Sequence, residues 1–315
     1  MKSQFIGFYK EILVDTVQLL QKATIVIDTN VLLDVYRYSK ATASQILQMM
    51  DSFKEQLWMP YQVAFEYHKD RNNKVLGGHV RTYSKLIKSI DDWKKTFDEE
   101  RKHPFLEEAD IKALKQNLEN IRSILCKGRE NCSQLIREDE YKRRIADLYE
   151  GKLGEDYSSD DKISLIKEAK IRYEKQIPPG YKDSNKDDNE CGDYLIWRQM
   201  IDFAKEKQCP IIFVSNDVKE DWIEDVAGIK LGPRPELIDE FYKETKQLFY
   251  CYDLDQFIKL SNSQVVTKEA KEEIENRLKE QQSQNDPIVG DATPTSSPIE
   301  VYVGDTSDDR SCSEV

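Results

Sequence analysis

Short apolar runs alternate with helical periodicity near both ends of the chain. Residues 24–27 and 211–214 are four-residue apolar runs, rich in Ile and Val, typical of buried parallel strands. Residues 57–60 predict a shorter second strand and 248–252 a last one. Periodic segments between these runs predict helices at 3–21, 41–53, 61–72, 193–207, 218–226, 235–246 and 255–260. We therefore expect a three-layer α/β/α fold with a mainly parallel sheet.

The segment 73–176 has a purely helical pattern. Its apolar positions recur every three or four residues, as at Ile111, Leu114 and Leu118. This spacing predicts a helical insertion of about four antiparallel helices whose apolar stripes form their shared core. Their basic positions, around 81–88 and 142–144, are either a solvated surface or the wall of a nucleic-acid groove.

The last segment differs in composition from the rest. Residues 264–283 are polar and helix-prone, and from Asp286 the chain is rich in Ser, Thr, Pro, Gly and Asp. Such a composition predicts a disordered acidic tail. We expect one domain at 1–262, followed by a polar helix and the tail at 263–315.

Composition limits the possible functions. The net charge of −12 argues against a nucleic-acid binder, but half of it lies in the tail, where 286–315 hold seven acids and one base. Three histidines and six cysteines without a CxxC pair argue against a zinc cluster. The sequence lacks the run of about 18 apolar residues that a membrane span needs. We expect a cytoplasmic protein with no membrane contact.

Two aspartates directly follow predicted strands. Asp28 ends the run at 24–27, and Asp217 comes three residues after the run at 211–214. Ligand sites of parallel sheets form at the carboxyl ends of the strands, so both carboxylates should lie at one edge. Clustered carboxylates repel each other unless a cation neutralises them. The alternative for each Asp is to cap the helix that follows.

Three further acids lie on segments that could face this edge. Glu66 is flanked by apolar residues on the predicted helix 61–72, although an exposed Glu is the common case. Asp193 opens the helix 193–207, where it could cap the helix or bind a metal. Asp221 follows Asp217 by four residues and could be an additional ligand.

These motifs, taken in order, resemble those of PIN domains. The strand that ends in Asp28-Thr29-Asn30 resembles the first PIN motif, and Glu66, Asp193 and Asp217 match the second, third and fourth. The Pro-Pro-Gly-Tyr-Lys-Asp loop at 178–183 is similar to that of a larger, mostly bacterial PIN-like family with a helical insertion. The insertion is the departure from compact PIN domains.

The resemblance implies a Mg²⁺- or Mn²⁺-dependent nuclease that cleaves nucleic acid, with single-stranded RNA favoured over DNA. All-oxygen ligands suit these ions. The implied catalytic and metal-binding residues are Asp28, Glu66, Asp193 and Asp217, with Asp221 as a further ligand. Asn30 and Asn216 would hydrogen-bond a ligand carboxylate, and Lys182 and Lys186 would contact phosphates.

Other functions stay open on the sequence. An inactive PIN-like fold could act as a binding or scaffold module through its insertion, which could also carry a protein partner or form a homo-oligomer. A phosphatase of the haloacid-dehalogenase type needs the motif Asp-x-Asp. Asn30 stands in the place of the second Asp, which argues against this class of enzyme. Because many bacterial PIN-like nucleases are toxins, the resemblance also implies a toxin or defence role.

Overall fold

Helices surround a small parallel sheet and a separate hairpin. The computed structural model describes residues 1, 5–9, 16–98, 105–183, 191–216, 219–227 and 229–285. The strands are β1 (Thr24–Ile27), β2 (Ile211–Val214), β3 (Ile223–Val226), β4 (Ile229–Pro233) and β5 (Phe249–Tyr252). The helices are α1 (Thr16–Lys22), α2 (Thr29–Asp34), α3 (Lys40–Ser52), α4 (Tyr61–Asp70), α5 (Gly77–Asp98), α6 (Glu108–Arg137), α7 (Glu140–Leu148), α8 (Ser159–Glu174), α9 (Gly192–Lys207), α10 (Pro235–Thr245), α11 (Leu254–Leu260) and α12 (Lys268–Asn285).

The parallel sheet has the order β1-β2-β5. Ile27 pairs with Val214, and Val214 pairs with Tyr252, so the three strands end at the same level. β2 is buried along its whole length, as expected for a strand between two helical layers. The sheet and the helices around it confirm the predicted α/β fold.

Aromatic side chains join the helices to the sheet. Trp197 of α9 packs edge-to-face against Phe249 of β5, with ring centroids 4.9 Å apart. The ring centroid of Phe241 of α10 lies 5.7 Å from that of Trp197. A second group of helices, α3, α11 and α12, packs together, with Phe53 and Phe257 5.5 Å apart. The first group of contacts fixes α9, which carries the candidate site residue Asp193, against the sheet.

Two predicted elements differ from the structure. The strand expected at 57–60 forms only isolated bridges, Ile25 with Leu57 and Met59 with Leu153, because Pro60 ends the segment and α4 begins directly after it at Tyr61. The helix predicted at 218–226 is wrong for all of its described residues: 219–222 are not helical, and Ile223–Val226 form β3, which pairs antiparallel with β4. Ala227 makes the turn at φ 56° between strands that contain β-branched residues, which favour strand over helix.

The insertion contains the four predicted helices, α5 to α8. In the long pair α5 and α6, Arg122 and Asp91 form an ion pair at 2.7 Å. Most of the stripe expected to be core is not buried there: Leu118 is 8% exposed, whereas Leu114 is 38% and Ile121 47% exposed. Two helices that pack mainly on each other cannot cover all sides of their apolar stripes.

The polar helix predicted after residue 262 packs on the preceding fold as α12. Ala270, Ile274 and Leu278, spaced by four residues, are buried on one face of the helix. Glu273 accepts hydrogen bonds from the backbone N–H of Ser39 at 2.6 Å and from the Thr42 hydroxyl at 2.6 Å, at the start of α3. In the described part of the chain, no helix is both long and apolar enough to cross a membrane.

Acid is expected to weaken the docking of α12 through Glu273. Burial acts to raise the pKa of Glu273, but hydrogen bonds from Thr42 and Ser39 hold that pKa below its usual value. A carboxyl whose pKa is lowered by folding stabilises the fold above its unfolded pKa, about 4.3, and loses this contribution as pH falls through the folded pKa. Urea unfolding should show a stability loss in Glu273→Gln that is full at pH 7 and shrinks below about pH 4. Glu280→Gln, an exposed change on the same helix, is the control, and a pH-independent loss would contradict the prediction.

Candidate active site

Asp28 lies at the carboxyl edge of the sheet, between β1 and α2. Its backbone N–H donates to Val214 at 2.9 Å, and its side chain is 9% exposed. Oδ1 accepts from the Thr29 backbone N–H at 2.7 Å, which makes Asp28 the N-cap of α2. Oδ2 accepts from the Ser215 hydroxyl at 2.6 Å. Asp28 therefore caps the helix with one oxygen and joins the neighbouring strand end with the other.

Asn30 bridges the ends of β1 and β2. Its amide nitrogen donates to Asp28 Oδ2 at 2.6 Å and to the Ser215 hydroxyl at 3.0 Å. Its amide oxygen accepts from the backbone N–H of Asn216 at 3.0 Å. Both ends of the Asn30 amide are thus used, which gives the side chain one orientation and holds the Asp28 carboxylate in place.

Glu66 is connected to Asp28 through Thr29. The Thr29 hydroxyl donates to Glu66 Oε2 at 3.2 Å, while its backbone N–H donates to Asp28. Gln62, one turn earlier on α4, donates to Glu66 Oε1 at 2.8 Å. Two of the four predicted acids therefore lie on either side of one residue at the edge of the sheet.

Asp193 and Asp221 form a second group around the Pro-Gly loop. Asp193, in the first turn of α9, accepts from the Trp222 indole N–H at 3.5 Å. Asp221 is fully buried, and its Oδ2 accepts from the backbone N–H of Gly180 at 2.9 Å and of Lys182 at 3.3 Å. Asp221 thereby anchors the loop in front of Asp193.

Gly180 allows the close approach of this loop to α9. Its φ of +94° lies in the left-handed region. An added Cβ would stand 2.4 Å from the Tyr173 hydroxyl and 3.2 Å from Cβ of Asp193. The motif Pro-Pro-Gly therefore places backbone, rather than a side chain, next to Asp193.

The remaining predicted site residues have different environments. Asn216 is 6% exposed and follows Ser215 at the end of β2. The Lys182 ammonium pairs with Glu220 at 2.5 Å, and this hydrogen bond raises the pKa of Lys182. Asp217 and Lys186 lie outside the described residues.

Sequence reasoning missed Ser215 and Thr29, which connect the predicted acids. The signal was present, since Ser215 directly follows a buried strand and Thr29 directly follows Asp28. Asp34, buried at the end of α2, was also missed. Nothing in its sequence context distinguishes it from a solvent-facing helical acid.

The donor set fits a hard divalent cation. Asp28, Glu66 and Asp193 offer carboxylate oxygens, the ligands that Mg²⁺ and Mn²⁺ prefer. Within the described ranges, which leave out Asp217, no three His, Cys, Asp or Glu side chains are grouped closely enough to hold a metal ion.

Comparison with protein families agrees with the fold. The model of a family described as "PIN like domain" matches residues 24–237, more than half of the 315-residue chain. The chain belongs to the PIN-like family. The match contains the helical insertion and all the predicted acids, and it ends before α12.

Membership in the PIN-like family confirms the resemblance seen in the motifs. PIN-like domains are generally nucleases, so the family points to nucleic acid as the substrate. Searches of curated proteins and of solved structures give no significant match.

Removal of the Ser215 hydroxyl should destabilise the edge of the sheet. Ser215→Ala removes one of the two side-chain hydrogen bonds that the buried Asp28 Oδ2 accepts and leaves the one from Asn30, a loss of about 1–2 kcal/mol in the free energy of unfolding. Ser164→Ala, whose hydroxyl bonds a carbonyl on the exposed face of α8, should change it by less than about 0.5 kcal/mol. Urea unfolding of metal-free protein measures both, and equal stabilities would refute the assigned hydrogen bond.

Proposed function

We propose that this protein is a Mg²⁺- or Mn²⁺-dependent nuclease that hydrolyses phosphodiester bonds of single-stranded RNA in preference to DNA. The observation that carries the proposal is the pair of carboxylates, Asp28 and Glu66, linked through Thr29 at the carboxyl edge of a parallel sheet. This edge is where parallel α/β sheets bind their ligands.

Asp28, Asp193 and Asp217 would hold the metal, and Glu66 would hold a second ion or orient the attacking water. A bound divalent ion lowers the pKa of a water and neutralises charge on the leaving oxygen. The chain's own contribution is orientation. Asn30, Ser215 and Thr29 donate to Asp28, so its oxygens are fixed before any ligand arrives.

We assign Asp221 to the loop instead of the metal. Its Oδ2 already accepts from two backbone N–H groups of the Pro-Gly loop, and the side chain is fully buried. Asp221 would act by keeping Gly180 beside Asp193. Lys182, which pairs with Glu220, and Lys186 keep their proposed role as phosphate contacts, in which phosphate would compete with Glu220 for Lys182.

An exposed aromatic side chain supports a single-stranded substrate. Phe65 is adjacent to Glu66 on α4 and is 48% exposed. The Lys162 ammonium lies 5.9 Å from the centroid of its ring. Exposed aromatic rings accompanied by cations are typical of surfaces on which unpaired bases stack, whereas paired bases do not offer their faces.

Purified protein should cleave single-stranded RNA faster than DNA of the same sequence when Mn²⁺ or Mg²⁺ is present, and EDTA should stop cleavage. Asp28→Asn and Glu66→Gln should each lower the rate by about 100-fold or more, because each removes a charged oxygen from the site. The readout is initial rate on labelled oligonucleotides.

The control for these variants is Glu206→Gln. Glu206 is exposed near the end of α9, just before β2 begins, at the opposite edge of the sheet. The Glu206→Gln variant should cleave at the wild-type rate. Wild-type rates in Asp28→Asn and Glu66→Gln would show the site to be wrong, and metal binding without cleavage of any nucleic acid would favour the scaffold function.

In the cell, the proposed nuclease would act as a toxin or defence protein in the bacterial cytoplasm. Induced expression of the wild type in bacteria should then slow growth and degrade RNA, because the nuclease acts on host transcripts. Asp28→Asn, expressed at the same level, should do neither. Growth curves and total RNA profiles measure the effect, and equal growth of the two strains would count against the role.

A further inference from the structure

A carboxylate at the far end of α2 is completely buried and fully hydrogen-bonded. Asp34 has 0% exposure, although its side chain is a carboxylate with two oxygens that accept hydrogen bonds. Its donors are Arg37 Nη1 (2.8 Å), Arg277 Nε (3.2 Å) and Nη2 (3.1 Å), Gln281 Nε2 (3.1 Å) and Asn216 Nδ2 (3.0 Å). A carboxylate removed from water is tolerated only with such partners.

Two of these donors come from α12. Arg277 and Gln281 are spaced by four residues, so they lie on one face of the helix, and Glu273 precedes Arg277 by another four. The adjacent face carries the buried residues Ile274 and Leu278 that hold α12 against the fold. The PIN-like match ends at residue 237, so these donors lie outside the matched region.

From Asp34 the hydrogen bonds continue to the candidate active site. Asn216 donates its side-chain amide to Asp34 at 3.0 Å and its backbone N–H to Asn30 at 3.0 Å. The side-chain oxygen of Asn216 accepts from the backbone N–H of Leu254 at 3.2 Å. Asn30 in turn donates to Asp28 at 2.6 Å. Each amide in this series has a partner at both ends, so a displacement of Asp34 removes one of the bonds that fix Asn216.

We propose that Arg277 is a positioning residue of the active site. It acts through Asp34 and Asn216 on the Asn30 amide that orients Asp28, so the working nuclease domain extends through α12. This inference rests on the proposed nuclease function for its catalytic consequence. The hydrogen-bond coupling itself does not depend on that function.

Arg277→Ala tests the coupling, with Lys279→Ala as the matched control. Both substitutions remove a cation from α12. Arg277 pairs with the buried Asp34, whereas Lys279 is 66% exposed and pairs with Glu275 on the helix surface. Asp34 keeps Arg37 in the variant, so the protein should fold, and a melting curve checks this. Arg277→Lys retains the charge without the planar guanidinium and should give an intermediate result.

Two readouts separate positioning from stability. In metal-free Arg277→Ala, amide hydrogen exchange at Asn216 should be about tenfold faster than in the wild type, while exchange at the core strand β2 stays unchanged. The Mn²⁺ concentration for half-maximal cleavage should rise about tenfold, as is usual for residues that orient metal ligands. Lys279→Ala should match the wild type in both.

The outcomes distinguish this inference from the proposed function. Unchanged exchange at Asn216 would overturn the coupling, whatever the activity. Faster exchange with an unchanged Mn²⁺ response in an active enzyme would overturn the positioning role and leave Arg277 as a structural residue only. A wild type that cleaves nothing would overturn the nuclease function and with it the catalytic part of this inference, while exchange would still decide the coupling.

Discussion

The in-register parallel pairing of β1 with β2 is the constraint on which the rest of this site depends. It sets Ile27 opposite Val214, so the next residues, Asp28 and Ser215, leave the sheet side by side and bond at 2.6 Å. A shift of one residue would turn every side chain of the strand to the other face and separate these two groups. The Asn30 bridge and the contact of Thr29 with Glu66 are attached to the same edge and would be lost with it.

The carboxylates of Asp28, Glu66 and Asp34 differ in the groups that donate to them. The donors identified on Asp28 and Glu66 are neutral: a hydroxyl, an amide or a backbone N–H. Neutral donors orient the oxygens of a carboxylate and carry no charge that would neutralise it, which is compatible with the cation proposed for this edge. Asp34 instead accepts from two guanidinium groups, which neutralise it.

The helical insertion leaves part of its apolar surface exposed. Four helices are added between the second and third acidic motifs, yet α5 and α6 pack mainly on each other and leave Ile121 and Trp93 exposed. Ion pairs between the two helices, such as Arg122 with Asp91, act on the flanks of this pair. A partner or homo-oligomer through the insertion stays a prediction. The prediction is supported by the apolar surface that α5 and α6 cannot bury between themselves.

The sequence by itself determined the class of fold and the position of Asp28 at the end of β1, because strand periodicity and an aspartate that directly follows a strand are local properties. Asp28 follows its strand directly, and the four ordered motifs identified the family. Tertiary structure decided what local patterns do not encode. Ser215 contacts Asp28 because β1 and β2 pair, and Thr29 contacts Glu66 because α2 packs against α4. Residues 223–226 form a strand because Ile229 and its neighbours pair with them. Arg277 reaches Asp34 across 243 positions, a contact that only the packing of α12 creates.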